Sequence, residues 1–277
     1  YLESVNVLAS HDSAVTSQPP NKRLGCYDDM ATNVPKFIGL YCSADKIKKN
    51  EEQCGILNRI QVDILRLKAE ATVKKADSEN GSTESLRAYE NAGTQYLDLY
   101  RKYCETPIRN GQQPQAEKCD ELVYNAAKAF QAGRLLAKAI AARLILLNPM
   151  NHMDKSPLAK KSVYEIGGNY QAIAVYDQAA DWYERYACVP DVHKNRVNER
   201  DCNAKAEKAD DAVKDAVLLR LGIGDEAQAI EGASYYQRKY GGAHAKIAAQ
   251  IAFSIGAHYA DKEDWNMCQT ALKGVMG

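Results

Sequence analysis

Residues 164–188 read YEIGGNYQAIAVYDQAADWYERYAC, and this stretch decides the fold class. We expect two helices between Tyr164 and Tyr186, because apolar and aromatic residues recur there without the period-two alternation of a half-buried strand. The second helix runs into Cys188, and a polar loop leads from there to Cys202. The stretch therefore predicts a helical hairpin whose second helix ends in a loop bounded by two cysteines.

The same arrangement recurs along the chain, which carries eight cysteines. Three times an aromatic helix end runs into a cysteine, and a second cysteine begins a new helical segment after a short polar loop. These spacings differ from those of zinc sites, so we expect disulfides across the loops and an oxidising compartment, with reduced structural cysteines as the alternative. The predicted pairs are Cys42–Cys54, Cys104–Cys119 and Cys188–Cys202. Cys26 and Cys268 could pair only if the two ends of the chain met, so they are left unassigned.

Composition and charge exclude several classes of protein. The 277 residues carry 36 basic and 36 acidic side chains, well mixed, which argues against binding to nucleic acid or to an acidic membrane surface. The longest apolar run, residues 137–147, is interrupted by Lys138 and Arg143 and is too short to span a bilayer. With only 17 glycines and 8 prolines and no sustained period-two alternation, the chain is predicted to be all-α.

Local signals place the segments and the helix boundaries. Residues 1–25 are expected to be a lead-in segment, and residues 26–277 a single helical-repeat domain. Asn148-Pro149 stops one helix, and Ser156-Pro157 begins the next with a capping serine followed by proline at the first helical position. The chain begins at Tyr1 without a methionine, so we expect a mature or excised segment of a longer precursor. Trp265 and Leu272 have the form of an unfinished repeat face, so the repeat array is expected to continue beyond the given ends.

A spaced pattern of small and aromatic residues recurs in the second half of the chain. A small residue in one helix is followed three positions later by an aromatic residue, and apolar residues follow in the next helix. The copies are Ala126-Ala127-x2-Phe130 with Ala139, Ile166-Gly167-x2-Tyr170 with Tyr176, Ala179 and Tyr183, and Ile255-Gly256-x2-Tyr259 with Trp265, Cys268 and Leu272. The segment 224–229 has the form of the turn and second-helix start of a further copy.

This pattern resembles the tetratricopeptide repeat, in which a small residue of the first helix lets the second helix pack closely. The resemblance covers about residues 120–277 and implies an α-solenoid of helix-turn-helix units with disulfide-stapled inter-helix loops. The spacing between copies, about 40, 50 and 39 residues, exceeds the ~34 residues usual for this repeat because the cysteine loops are long. Such a solenoid binds protein or peptide partners in a concave groove, here implied to include Tyr164, Asn169, Tyr170 and Tyr259.

Pairs of tyrosines close three of the predicted helices. We expect these tyrosines to cover the core between repeats, with their hydroxyl groups reaching solvent. The alternative is a tyrosine-lined groove for a peptide, since tyrosine is enriched at interfaces. The pairs are Tyr100 and Tyr103, Tyr183 and Tyr186, and Tyr236 and Tyr240.

No motif assigns a catalytic residue, a cofactor site or a metal site. Gly222-Ile-Gly224-Asp-Glu-Ala227 matches a dinucleotide-binding fingerprint, but its predicted surroundings are helical and His244 stands where an acidic residue is needed. A turn between repeated helices is the better interpretation of these glycines. His244 and His258 would lie about 21 Å apart along one helix and could not share a metal. The chain is therefore not expected to be an enzyme.

Residues 176–186 are similar in style to large tetratricopeptide proteins of the cell envelope and gliding machinery of deltaproteobacteria. This resemblance implies a periplasmic or extracellular scaffold that binds protein partners in an envelope complex, for example one for motility. Two alternatives stay open. One is a helical enzyme or accessory domain that acts on cell-wall glycans through paired carboxylates. The other is a lipoprotein of outer-membrane assembly whose lipidated cysteine lies upstream of Tyr1.

Overall fold

The computed structural model describes residues 20–43, 50–79, 81–193, 202 and 204–276, with side chains from residue 29 to residue 273 of these ranges. Within them the chain consists of helices and turns and contains no β-strand, which confirms the all-α prediction. Residues 1–19 of the expected lead-in segment lie outside the described part, and the first described helix begins at Pro20. The chain divides into two compact units, Tyr1–Leu135 and Leu136–Gly277.

The described helices of the first unit are α1 (Pro20–Tyr41), α2 (Glu51–Ser78), α3 (Thr83–Tyr100), α4 (Thr106–Arg109) and α5 (Cys119–Ala132). They pack in chain order, with α1 on α2, α2 on α3, and α3 on α5. A small core forms between α1 and α2, because apolar residues recur on one face of each helix and cover one another. Its buried members are Val34, Leu57, Ile60 and Ile64.

A single π turn, Arg101–Glu105, joins α3 to α4 in one continuous helix. The turn follows from Pro107, which has no N–H to donate to the Tyr103 carbonyl as a regular helix would require. That carbonyl accepts a hydrogen bond from the backbone N–H of Gln115 instead, at 2.7 Å. The loop that precedes α5 is thereby attached to the helix that carries Cys104.

The described helices of the second unit are α6 (Leu136–Leu147), α7 (Pro157–Ala172), α8 (Tyr176–Ala187), α9 (Ala209–Gly222), α10 (Glu226–Tyr240), α11 (Ala245–Asp261) and α12 (Trp265–Met276). Consecutive helices pack on one another, and α9 also contacts α11. Ser156 caps α7 as predicted, because its Oγ accepts a hydrogen bond from the backbone N–H of Leu158 at 3.1 Å. One core of alanine, valine, isoleucine and tyrosine side chains extends from Val163 to Tyr259.

The turns that follow α5, α7, α9 and α11 share one backbone geometry. In each turn, the backbone N–H of the third residue donates back to a carbonyl in the last turn of the preceding helix. In the turn after α7, the N–H of Val175 donates to the Tyr170 carbonyl at 3.0 Å. The second residue of each turn has a left-handed φ, of 60° at Arg134, 59° at Ala174, 80° at Gly224 and 61° at Glu263. These four residues recur at the intervals that the sequence pattern predicts. Of the two glycines of the dinucleotide-like motif, Gly222 ends α9 and Gly224 lies in the turn between α9 and α10.

The helices on either side of such a turn approach closely in the second unit. Each pair has a glycine on one helix opposite a larger side chain on the other, so that a Cβ added at the glycine would overlap its neighbour. The first-helix glycines of two pairs agree with the small-residue pattern of the sequence, whereas the middle pair carries its glycine on the second helix. The distances from the added Cβ are 2.8 Å for Gly167 to Tyr183, 2.8 Å for Gly232 to Val217, and 2.9 Å for Gly256 to Leu272.

The three predicted cysteine pairs lie at disulfide-bonding distance. Their Cα–Cα separations are 5.6 Å for Cys42–Cys54, 5.9 Å for Cys104–Cys119 and 5.0 Å for Cys188–Cys202. Cys42 and Cys188 each directly follow a helix, but Cys104 lies within the continuous helix that runs to Arg109, so the helix end predicted at this cysteine is wrong. Cys268 is a half-buried free thiol, and the side chain of Cys26 lies outside the described part of the chain.

Candidate functional site

A groove of about 470 Å³ lies between α10, α11 and α12. Its lining, all within the described residues, contains no Asp, Glu, Lys, Arg or His. Ile251, Ile255 and Tyr259 are the buried residues of this lining, and they form its apolar floor. A concave and largely apolar space of this size is typical of ligand-binding pockets. The groove is therefore complementary to an uncharged, apolar group.

The groove remains open because small alanine side chains line α11. Ala245, Ala248, Ala249 and Ala252 recur on one face of α11, at the i, i+3, i+4 and i+7 positions of a helix. Their methyl groups are too small to reach α10 and α12 across the space that larger side chains would fill. The sequence pattern does not mark these alanines as site residues, because alanine at helical spacing is also typical of ordinary helix packing.

The preceding helix pair carries larger side chains at the positions of two groove residues. Ala233 and Ser234 of α10 lie as many residues after the left-handed residue of their turn as Tyr183 and Glu184 of α8 lie after theirs. The two pairs of residues are therefore equivalent positions. The ring of Tyr183 is 3% exposed and packs 5.3 Å from the ring of Tyr164. Burial raises the pKa of Tyr183, and its hydroxyl donates a hydrogen bond within α7–α8. The two large side chains pack on different neighbours, Tyr183 on α7 and Glu184 on α9, whereas alanine and serine at the counterpart positions of α10 line the groove.

Glu184 belongs to a buried ion network between α8 and α9. Arg220 donates to the two carboxylate oxygens of Glu184, at 3.0 Å from Nε and 2.7 Å from Nη2, and its Nη2 also donates to Asp181. Its Nη1 lies 3.4 Å from Oδ2 of Asp225, and Nε2 of His193 lies 2.9 Å from Oδ1 of the same carboxylate. Burial raises the pKa of Glu184 while Arg220 opposes that shift. The network joins two helices, a repeat turn and the cysteine loop.

Further hydrogen bonds attach this cysteine loop to α10. The side chain of Gln228, 1% exposed, donates from Nε2 to the Pro190 carbonyl and accepts at Oε1 from the N–H of Val192, each at 2.9 Å. The hydroxyl of Tyr235 donates to the Ala187 carbonyl at 2.8 Å. These contacts satisfy backbone groups of the loop. Together with the contact between His193 and Asp225, they hold the described part of the loop against α10.

Ionisable side chains near both ends of α11 contact the preceding helices. Glu226, at the start of α10, accepts a hydrogen bond from Lys262 and lies 3.0 Å from Nε2 of His258. These hydrogen bonds, that of Lys262 first, lower the pKa of Glu226 to about 2. At the start of α11, Nε2 of His244 lies 3.7 Å from Oδ2 of Asp210.

The four residues expected to bind a partner lie in different surroundings. Tyr259 lines the groove and is 5% exposed. Tyr164 is half-buried among the rings of Tyr183 and Tyr186, each centred 5.3 Å away. Asn169 is buried, and Tyr170 is half-buried beside it on α7. Of these residues, the structure brings only Tyr259 to the groove.

The tyrosines that close helices do contribute to the cores, but the hydroxyl groups of three of them do not reach solvent as expected. The hydroxyl oxygens of Tyr100, Tyr103 and Tyr236 are buried and have no hydrogen-bond partner among the described residues. Burial raises the pKa of Tyr100 to about 12. The hydroxyl of Tyr240 donates to the Ala204 carbonyl at 2.8 Å. These side chains are therefore packed structural residues, and they do not line an open surface.

The described part of the chain contains no group of three or more His, Cys, Asp or Glu side chains arranged to hold a metal ion. Among the described helices, none combines the length and the hydrophobicity that crossing a lipid bilayer requires. Comparison with protein-family models and with curated protein sequences gives no match for this chain. The site must therefore be interpreted from its own geometry.

Proposed function

We propose that this chain is an exported protein-interaction module that binds a peptide segment of a partner in the groove between α10, α11 and α12. The observation that carries this proposal is the groove itself, an uncharged space of about 470 Å³ on helices that the rest of the unit holds in place. Burial of apolar side chains in such a space would supply the binding free energy.

The repeated helix pairs support a tetratricopeptide-like classification. The four equivalent turns and the glycine contacts at Gly167 and Gly256 agree with the small-residue pattern on which the resemblance was based. In that classification the helix pairs are the repeats of a solenoid, and the groove lies between two successive repeats.

The cysteine pairs support export. Three cysteine pairs at bonding distance are compatible with an oxidising compartment, whereas a reducing cytosol would open such bonds. We place the protein in the periplasm or outside the cell, as a scaffold of an envelope complex, with a motility complex as one example.

Selection from a random peptide display library on the full, oxidised chain tests the binding function. Wild type should enrich peptides that the double variant Ala248→Leu/Ala252→Leu does not bind, because two leucines fill the groove. Ala257→Leu is the matched control, since Ala257 is exposed on the same helix and does not line the groove. Peptides that bind the wild type and the double variant equally, or no enriched peptides at all, would refute the groove as the binding site.

A further inference from the structure

We propose that the helix pair α11–α12 is a hinged element, which closes on α10 and thereby removes the groove. Three interfaces of the second unit have the same form, because the second helix of one pair packs on the first helix of the next. Two of them join α6 to α7 and α8 to α9, and the third joins α10 to α11, where the groove lies. The three interfaces can therefore be compared position by position.

The first helix of each pair carries one face toward the preceding pair. In α9 this face includes Arg220, which hydrogen-bonds to Glu184 of α8, and three further residues lie on it at helical spacing before Arg220. These three positions are fully buried in α9 and in α7, whereas their counterparts Ala248 and Ala252 in α11 are only half-buried. The buried residues are Ala159, Val163 and Ile166 in α7, and Ala209, Val213 and Ala216 in α9.

The second helix of each pair shows the same difference. Glu184 marks the face of α8 that meets α9, and Ala180 and Ala187 lie on this face, one helical turn to either side. All three residues are buried. Their counterparts in α10 line the groove and are half-buried or exposed, so both walls of the groove are surfaces that the preceding interface covers. These counterparts are Ile230, Ser234 and Gln237.

The sizes of the side chains allow the open interface to close. The facing surfaces of α8 and α9 carry Ala180 and Val213, and the equivalent positions of α10 and α11 carry Ile230 and Ala252. The larger residue has changed sides, so the summed volume differs by only about one methylene group, which packed interfaces tolerate. Closure would cover Ile230 with the alanine methyl groups of α11 and remove its exposed apolar surface from water.

The linker between α10 and α11 contains the residues that such a movement requires. Gly241 and Gly242 follow the end of α10, and glycine has the widest range of backbone conformations. Among the described residues, no atom lies within 4 Å of a Cβ added at Gly242. The connection between α8 and α9 is instead fixed by the Cys188–Cys202 bond and by the hydrogen bonds of Gln228. We therefore assign the hinge to the two glycines.

Side-chain contacts attach α11 to its neighbours in the open form. Glu226 of α10 lies 3.0 Å from Nε2 of His258 and accepts a hydrogen bond from Lys262, and His244 lies 3.7 Å from Asp210 of α9. These side chains can follow a small movement of the helix by changing rotamer. They hold the two ends of α11 without filling the space between its alanines and α10.

Methyl NMR relaxation dispersion on the full, oxidised chain tests the closure, because it detects exchange on the timescale of hinge motions. The methyl groups of Ile230, Ala248 and Ala252 should show dispersion with one common rate. Ala180 and Val213, at equivalent positions of the closed interface, are the matched controls and should give flat profiles. Flat profiles at all five residues, or equal dispersion at the controls, would overturn the proposal.

A variant that fills the groove tests the origin of the exchange. Ala252→Leu should block closure and remove the dispersion of Ile230, whereas Ala257→Leu, at an exposed position outside the groove, should leave it unchanged. Thermal unfolding checks that both variants fold. If Ala252→Leu does not fold, Gly242→Pro decides in its place, because proline fixes φ and should reduce the dispersion. Unchanged dispersion in the folded variant would assign the exchange to another motion.

The hinge has one consequence that rests on the proposed function. A peptide in the groove would hold α11 away from α10, so a peptide from the display selection should suppress the dispersion of Ile230. Persistent dispersion in the saturated complex would overturn this competition. Groove-dependent peptides without dispersion in the free protein would remove the hinge and leave the binding function. Dispersion without any groove-dependent peptide would remove the binding function and leave the hinge.

Discussion

The guanidinium of Arg220 donates to both carboxylate oxygens of Glu184, at 3.0 Å and 2.7 Å, and both side chains are buried. Counted from the left-handed residue of the following turn, Arg220 holds the position of the aromatic residues Phe130, Tyr170 and Tyr259 in the other copies. An ion pair thus replaces an apolar contact at one repeat interface. Such a pair makes each partner dependent on the other, because either charge alone would be buried without compensation.

We therefore expect Arg220→Ala to destabilise the protein by about 3–5 kcal/mol, because it leaves Glu184 buried without its partner. Urea unfolding followed by circular dichroism measures the change. Arg238→Ala is the matched control, since Arg238 pairs with Glu231 at 2.9 Å but its side chain is 59% exposed, and it should cost no more than ~1 kcal/mol. Similar losses of stability in both variants would show that the buried ion pair of Arg220 contributes no more than the exposed pair of Arg238.

Gly167→Ala should also destabilise the protein, by about 1–3 kcal/mol, because the new Cβ would lie 2.8 Å from the Tyr183 ring and force α7 and α8 apart. Gly55→Ala is the control within a helix, where no atom lies within 4 Å of the added Cβ. That variant should gain up to ~1 kcal/mol from the higher helix propensity of alanine. Chemical unfolding distinguishes the two, and a stabilising Gly167→Ala would show that the helices do not pack as described.

The turn between α9 and α10 provides a second comparison of two glycines. Gly224 has a φ of 80°, so Gly224→Ala places a side chain in the left-handed region and should cost about 1 kcal/mol. Gly222 ends α9 and has no atom within 4 Å of an added Cβ, so Gly222→Ala should be neutral or stabilising by up to ~1 kcal/mol. The thermal unfolding midpoint of Gly224→Ala should therefore lie clearly below that of Gly222→Ala. Equal midpoints would refute the left-handed turn.

Acid should weaken the contact between α10 and α11. The hydrogen bonds from Lys262 and His258 lower the pKa of Glu226 from 4.5 to about 2. A lowered carboxyl pKa stabilises the folded state above about pH 4.5, and this contribution is lost as the pH falls toward about 2. At low salt, wild type should lose more thermal stability over this pH range than Glu226→Gln does. The difference should shrink at high salt, because the Glu226 side chain is only half-buried and ions can screen it.

Glu263→Gln is the control for this pH dependence, since Glu263 is an exposed residue of the turn after α11. Its curve of unfolding midpoint against pH should run parallel to that of wild type. If Glu226→Gln also runs parallel to wild type, the carboxylate does not stabilise the contact between these two helices.

Thiol blocking followed by peptide mapping tests the disulfides. The protein isolated without reductant should yield three linked peptides, joining Cys42 to Cys54, Cys104 to Cys119 and Cys188 to Cys202, while Cys268 takes up the blocking reagent. Each closed loop of this size should contribute about 3 kcal/mol to stability, so prior reduction should lower the unfolding midpoint. Eight free thiols would contradict the stapled loops and the proposed export.

The cysteine pairs and the start of α7 could be predicted because local signals specify them, whereas the helix end predicted at Cys104 was wrong. A cysteine at a helix end followed by another at the start of the next segment leaves little choice of partner, and Ser156-Pro157 begins a helix through contacts among neighbouring residues. The repeated turns are equally local, since each closes by hydrogen bonds across a few residues. The all-α class follows from the same periodicity.

Most of the candidate site could not be predicted from the sequence. Tyr259 could be chosen from the repeat pattern and does line the groove, but Asn169, chosen on the same grounds, is buried on α7. The pattern gives the helix position of each residue and not which neighbour covers it. Whether a side chain faces a partner helix or open space depends on the size of residues far away in the chain.

The sequence predicts that the chain is helical, where its turns fall and which cysteines face one another, because hydrogen bonds and covalent links between nearby residues specify these features. The folded structure is needed to see that Ala233 borders an open groove while its counterpart Tyr183 is buried against α7, and that Arg220 meets Glu184 across α8 and α9. Such outcomes depend on packing, in which the volume and charge of residues from several helices must match at once.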